Sequence, residues 1–331
     1  MTFRRFLLFA IATLCASPAC LAALPLCQGQ PADCTEVKLV VDGWERIYQY
    51  HLPQGSSCGR TNLPVVMHLH GGGGTAGEAR NQAGYTSSDR NCFIYVFPQG
   101  FIFPGGGGGW NNGDCLRLPA QSGYTGPSTH PGCGLGLDTI GINDIHYFNA
   151  LLDDLKNRVS YDARRVYASG WSHGGGMAHR LSCELADRIT AIAPIEGTIK
   201  IAQCQASRAV PVMEWASLGD TGSPFTGGSG DTSVPYSIAV HLAVSQLPSY
   251  TWPTTTTVVP SPLSSAITDT VKQWLGGKNG SVVILHTLSS QLLHTWLNDN
   301  PPAFDWQEIN WTFFKQYSIP AETIRRRSAH H

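Results

Sequence analysis

Charge is scarce in this chain. Only 14% of its 331 residues are Asp, Glu, Lys or Arg, against roughly a quarter in an average soluble protein. Lys and Arg total 22 and Asp and Glu 23, so neither sign prevails. Without a basic excess there is no field of the kind that gathers nucleic acid, and none is expected as a partner. Long apolar runs are missing as well. The most prominent, residues 6–14, is too short to hold a helix across a bilayer, so a polytopic membrane protein is excluded and no membrane anchor is expected. No CxxC pair and no His-rich tract has zinc-ligand spacing, and neither a metal nor another cofactor is expected.

The place of the missing charge is taken by 36 glycines and 21 prolines, while the apolar share, 42%, is ordinary. Such a chain builds a sizeable core under many loops and is not disordered. Its beginning, Met1-Thr2-Phe3-Arg4-Arg5, is a short positive segment before the apolar run. Cys20-Leu21-Ala22 then fits small-x-small cleavage ahead of Ala23. Residues 1–22 are therefore expected to be a signal peptide, and the mature chain to be secreted, extracellular or periplasmic. Eight cysteines remain after cleavage, an even number that in an exported chain reads as disulfides. Proximity in sequence favours the pairs Cys27–Cys34, Cys58–Cys92, Cys115–Cys133 and Cys183–Cys204.

Residues 37–52 read as a β-hairpin turning at Asp42-Gly43. Buried-strand runs follow at 65–69 and 92–97, and further strands at 165–169, 189–195, 210–217 and 282–288. Ile145, Phe148, Leu152 and Leu155 recur at the spacing of one apolar helix face. Residues 177–186 read as another helix. Asp305 to Glu308 resembles a capping box opening a closing helix through Tyr317. Strands alternating with helices predict a mostly parallel sheet covered on both faces, with the first hairpin at one edge. The Gly-rich stretch 104–136, with two cysteines, reads as a stapled surface loop. The Pro/Thr-rich stretch 247–262 interrupts the alternation and reads as an insertion or lid within one domain, residues 23–331.

Gly170-Trp171-Ser172-His173-Gly174 matches G-x-S-x-G between a strand and a helix. In that setting the serine sits on a tight, strained turn with its hydroxyl exposed, and the glycines keep side chains out of neighbouring backbone. His70-Gly71-Gly72-Gly73 follows an earlier strand, where a loop can present backbone N–H groups to an oxyanion; Gly72 and His173 are the candidate donors. The order serine, acid, histidine then points to His294 after the last strand as general base. Asp220, three residues past the 210–217 strand, is the acid, with Asp231 as its rival. His286 lies inside a strand run and reads as a satisfied structural histidine. Trp110, in Gly109-Trp110-Asn111-Asn112, is a candidate aromatic wall for a substrate.

Taken together these motifs resemble the polyhydroxybutyrate-depolymerase and feruloyl-esterase family of secreted α/β-hydrolases. The resemblance rests on His70 to Ala76, Ile142-Asn143-Asp144-Ile145, Arg165-Val166-Tyr167 leading into Gly170 to Gly175, and Ala193-Pro194-Ile195-Glu196-Gly197. Leu293-His294-Thr295-Trp296 and Phe304-Asp305 complete it. It covers roughly residues 37–317. The family's acid motif, HGTAD with a later Pro-Tyr and two glycines, lies over residues 216–228 and places its acid at Asp220, although Asp231 to Tyr236 imitates the same pattern. Two departures stand out: Ala216-Ser217 replaces the HG, and Gln291-Leu292-Leu293 replaces the glycines before His294.

The resemblance implies a disulfide-stapled α/β-hydrolase, monomeric, that hydrolyses carboxylic esters through Ser172, His294 and Asp220 and an acyl-enzyme. Polymer-degrading members often carry a Ser/Thr-rich linker and a surface-binding module of which this sequence gives no sign, so plant cell-wall feruloyl or acetyl esters are expected ahead of insoluble polymer. The alternative is a polyester such as poly(3-hydroxybutyrate). A non-catalytic binding protein on the same scaffold would normally have lost a triad position, and none is lost here.

Overall fold

The computed structural model describes residues 27, 34–103, 106–113, 141–201, 203–228, 231–261, 264–289, 294 and 305–328. In chain order the first elements are β1 (Thr35–Val41), β2 (Trp44–His51), β3 (Leu63–Leu69), α1 (Ala76–Ala83), α2 (Thr86–Asn91) and β4 (Ile94–Pro98). A two-stranded ribbon, β5 (Phe101–Ile102) and β6 (Gly108–Gly109), follows, and then α3 (Asp144–Arg158), β7 (Tyr161–Trp171), α4 (His173–Glu184), β8 (Ala191–Ile195) and β9 (Val212–Ser217). The remainder is α5 (Val234–Ser245), β10 (Thr255–Ser261), β11 (Ser264–Trp274), β12 (Val283–Leu288), α6 (Trp306–Phe314) and α7 (Ala321–Ser328).

The main sheet runs β1-β2-β4-β3-β7-β8-β9-β12-β11-β10. Its six central strands, β4 to β12 in that order, are parallel, and an antiparallel pair flanks each side. The expected parallel sheet is present, and so is the opening hairpin at one edge. Alternation along the central strands sends side chains to two cores. Val65, Met67, Ile94, Val96, Val166 and Ala168 join Phe148, Leu152 and Leu155 of α3 and Met177 and Leu181 of α4 on one face. Val66, Tyr95, Phe97, Tyr167 and Ala193 join Ala76 and Ala79 of α1 and Trp306, Trp311 and Phe314 of α6 on the other. The apolar stripe read from residues 145–155 is thus the buried face of α3, with Ile145 at its partly exposed margin.

Part of the stretch expected to be an insertion or lid belongs to the sheet. Residues 255–261 are the edge strand β10, paired antiparallel with β11. Pro260 stands in this strand although a proline normally interrupts a sheet. At an edge it is tolerated, and the register shifts beside it between Pro260 and Ser261. Helix α5 was also not anticipated. Ser233 caps it by accepting from the Tyr236 N–H, and Pro235 stands in its first turn. Asp305 does cap α6, accepting from the Glu308 N–H at 3.0 Å, but this helix ends at Phe314, short of Tyr317.

Three of the four expected disulfides are present: Cys27–Cys34, Cys58–Cys92 and Cys183–Cys204. Cys115 and Cys133, most of the Gly-rich loop that holds them, and the signal segment lie outside the described residues. Cys58–Cys92 ties the segment after β2 to the end of α2, and Cys183–Cys204 ties the end of α4 to the connection between β8 and β9.

A buried ion pair locks the start of α3. The Arg46 guanidinium of β2 donates to the Asp144 carboxylate at the first turn of α3, and the second Asp144 oxygen accepts from the Asn111 N–H at 2.6 Å. Arg46 also lies over the Tyr147 ring, 3.9 Å from its centroid. Both charges are out of solvent, so removing one strands the other. Asp144→Ala is expected to cost about 3–5 kcal/mol in urea unfolding, and the double variant Arg46→Met/Asp144→Leu to recover part of that loss.

Candidate active site

The turn between β7 and α4 is tight for a steric reason. A Cβ on Gly170 would lie 2.5 Å from the Gly174 carbonyl oxygen, and one on Gly174 would lie 2.4 Å from that of Leu69. Ser172 itself has φ 55° and ψ −119°, a conformation that a residue with a side chain rarely adopts. Its N–H is held by the Ile195 carbonyl at 2.8 Å, and its carbonyl starts α4 by accepting from Gly176 at 3.0 Å. The hydroxyl is thereby pushed out of the turn, above the carboxyl ends of the strands.

His294 meets it there. His294 Nε2 lies 2.8 Å from Ser172 Oγ, and His294 Nδ1 lies 2.9 Å from Asp220 Oδ2. A carboxylate only accepts, so Nδ1 carries the proton and Nε2 is left to accept from the serine hydroxyl. Asp220 is itself oriented: its other oxygen accepts from the N–H groups of Gly222 and Ser223, each at 2.8 Å. Burial alone would lower the His294 pKa. The Asp220 hydrogen bond and charge, joined by Glu196 and Asp231, outweigh it, and the net shift is upward. In this line a serine proton can move to an imidazole whose positive charge is already provided for.

Asp231 is placed elsewhere. It forms a buried ion pair with Lys200, 2.6 Å away, and accepts from the Thr198 hydroxyl. The rival acid therefore braces the segment after β8 and is not the residue bonded to His294. His286 is the satisfied histidine that its position suggested, with Nδ1 2.8 Å from Asp269 and its ring stacked on Trp215.

The glycine loop after β3 wraps over the turn. A Cβ on Gly72 would lie 3.6 Å from that of His173, so the two candidate oxyanion donors are neighbours. His173 opens α4, where the helix ladder makes no use of the first N–H groups. The loop is held from below by His70: Nδ1 donates to the Gly71 carbonyl at 2.7 Å and Nε2 accepts from the Gly100 N–H at 2.9 Å. Burial pushes the His70 pKa down to about 4, which keeps this tautomer neutral. Gln99 adds its amide to His70 and accepts from the Ala76 N–H. Sequence reasoning assigned no role to Gln99, and a single glutamine after a strand carries no pattern that would have flagged it.

Trp110 does not form a substrate wall. Its side chain is 1% exposed, donates from Nε1 to the His70 carbonyl at 2.9 Å and packs against His70 and Phe148. It supports the glycine loop from inside the protein. An open cleft of about 310 Å³ lies between the 70–74 loop, Glu78, Gln82 and Trp171. Glu196, Asp220 and His294 are the one group of metal-ligating types that comes together among the described residues, with ligand atoms within 4.8 Å. The Asp220–His294 hydrogen bond already explains much of that grouping.

A parallel sheet with helices on both faces and a serine on a strained strand-to-helix turn define the α/β-hydrolase fold. In agreement, the acetyl xylan esterase of Aspergillus awamori superposes with a TM-score of 0.51 over 85% of this chain and 99% of its own, at 15% identity. No protein-family model matches the chain. In sequence it is similar to a bifunctional acetylxylan esterase/xylanase of Neocallimastix patriciarum, 26% identical over 153 residues that make up 46% of this chain and 18% of the relative. It is also similar to feruloyl esterase B of Piromyces equi, 28% identical over 91 residues, or 26% of this chain and 17% of that one. The matches thus span less than a fifth of either relative.

The two aspartates are expected to separate cleanly by variant. Asp231→Asn removes the negative charge beside buried Lys200 and is expected to destabilise the fold by about 3 kcal/mol in urea unfolding, yet to keep the His294 Nδ1–H hydrogen bond in the imidazole NMR spectrum. Asp220→Asn is expected to remove that bond.

Proposed function

We propose that this protein is a secreted carboxylic-ester hydrolase that works through an acyl-enzyme on Ser172. His294 is the general base, Asp220 holds its tautomer, and the N–H groups of Gly72 and His173 form the oxyanion hole. Ser172 Oγ attacks the ester carbonyl carbon as its proton passes to His294 Nε2, and the carbonyl oxygen gains negative charge facing the two donors. The tetrahedral adduct then breaks its bond to the alcohol oxygen, which leaves with the proton from Nε2. Water enters, gives a proton to Nε2 and attacks the acyl carbon; Ser172 leaves and takes that proton back.

The observation that carries this reading is the continuous Ser172–His294–Asp220 hydrogen-bonded line at 2.8 and 2.9 Å, starting from a serine at φ 55°. The substrates are taken to be feruloyl or acetyl esters of plant polysaccharide, because the similar sequences belong to an acetylxylan esterase and a feruloyl esterase. Export is supported by the disulfides, which persist in oxidising compartments. Among the described residues no helix is long and apolar enough to cross a membrane. Residues 23–331 would then act as one catalytic domain.

Ser172→Ala is expected to lower turnover about a million-fold with the fold intact, and Asp220→Asn about ten-thousand-fold through the wrong tautomer. Release of ferulate or acetate in preference to 3-hydroxybutyrate supports the substrate assignment; the reverse preference makes the protein a polyester hydrolase. The base must be neutral to act, so kcat/KM is expected to rise with pH as His294 loses its proton. Because the His294 pKa is raised, the midpoint is expected above the ordinary imidazole value of about 6.5. A midpoint well below that value would contradict the assignment of His294.

A further inference from the structure

His294 is held by more than its two hydrogen bonds. One face of its ring stacks on Trp171, centroids 5.0 Å apart and planes 26° apart. The backbone of Gly222 also lies close against it, where an added Cβ would come within 2.5 Å of His294 Cγ. Trp171 in turn donates from Nε1 to Glu196 Oε2 at 3.1 Å, and that same oxygen lies 3.8 Å from His294 Nδ1. At 3.8 Å it is too far to share the proton, which stays with Asp220, but close enough for its charge to act on the ring.

Glu196 is unusual in its own right. It follows β8 with φ 48°, a left-handed conformation that costs a glutamate of order 1–3 kcal/mol. Its N–H is fixed to the Trp215 carbonyl at 2.8 Å, and its side chain is 3% exposed. A buried acid on a strained backbone persists only where its surroundings hold it there. Here the strain aims the carboxylate at the edge of the indole and at the imidazole.

We propose that Glu196 is a positioning residue for His294, fixing the Trp171 indole against one face of the imidazole and supplying it with a second negative charge. The proposal rests on the serine-hydrolase reading. It assigns the two carboxylates different work: Asp220 takes the Nδ1 proton, whereas Glu196 sets the ring's plane and adds to the field that stabilises the imidazolium. The charged groups facing this imidazole are Asp220 after β9, Glu196 after β8 and Asp231 before α5. The last is already paired with Lys200.

Two variants separate charge from clamp. Glu196→Gln keeps an acceptor for the indole N–H and removes the charge. Its His294 pKa, followed by imidazole NMR, and the acid limb of its kcat/KM profile are both expected to fall by about one unit. Trp171→Phe keeps an aromatic face and the charge but loses the N–H; its acid limb is expected to stay in place while kcat falls about ten-fold with KM little changed. If neither His294 pKa nor limb moves in Glu196→Gln while the parent protein hydrolyses esters, the charge role is overturned and the triad reading stands. An unchanged kcat in Trp171→Phe overturns the clamp, and this holds even if Glu196→Gln does not fold. A parent protein without ester hydrolysis overturns the triad reading, and the positioning role with it.

Discussion

A serine held at φ 55° is the constraint around which the rest of the protein is arranged. Such a backbone costs on the order of 1–3 kcal/mol and survives only where neighbours leave it no alternative. Here the Ile195 carbonyl fixes the Ser172 N–H, α4 takes up its carbonyl, and Gly170 and Gly174 allow strand and helix to approach where any Cβ would collide. The six-stranded parallel core supplies the rigidity. β7, at its centre, pairs on both sides with strands that are themselves paired, and α4 packs directly on it. The strain is local and the support is global.

The same sheet brings the remaining groups together. In a parallel sheet the carboxyl ends of neighbouring strands open on one side, and ligand-handling residues gather there. β3 delivers the glycine loop, β7 delivers Ser172, β8 delivers Glu196 and β9 delivers Asp220, all from adjacent or next-adjacent strands. His294 arrives after β12, the next strand in the row, and lands against the Trp171 ring and close to the Gly222 backbone. Interior polar residues then hold the parts in place: His70 and Gln99 under the glycine loop, and Lys200 with Asp231 behind the segment after β8.

What could be read from the sequence is what recurs over short distances. The parallel strands were legible because buried strands are short continuous apolar runs, and α3 because its apolar residues repeat at helical spacing. Ser172, His294 and Asp220 were legible because each stands just past a strand in a fixed chain order. Three cysteine pairs followed from proximity alone. The reading failed where context reverses a local signal. The Pro/Thr-rich stretch 247–262 reads as an insertion, yet its Pro260 sits on the edge strand β10. Trp110 lies in a loop by sequence yet is buried by the fold. Gln99 meets His70 across neighbouring strands and Glu196 approaches His294 from two strands away, and no spacing rule connects either pair along the chain.

The most direct test of the central claim is covalent. A fluorophosphonate reacts with a serine only when that serine is activated by a base and its adduct is received by an oxyanion hole. Intact-protein mass after brief exposure, followed by peptide mapping, is expected to show one adduct, on Ser172. Protein that stays unmodified under conditions that label a known serine esterase, or that carries its adduct on another residue, would contradict the claim that Ser172 is a nucleophile built by this fold.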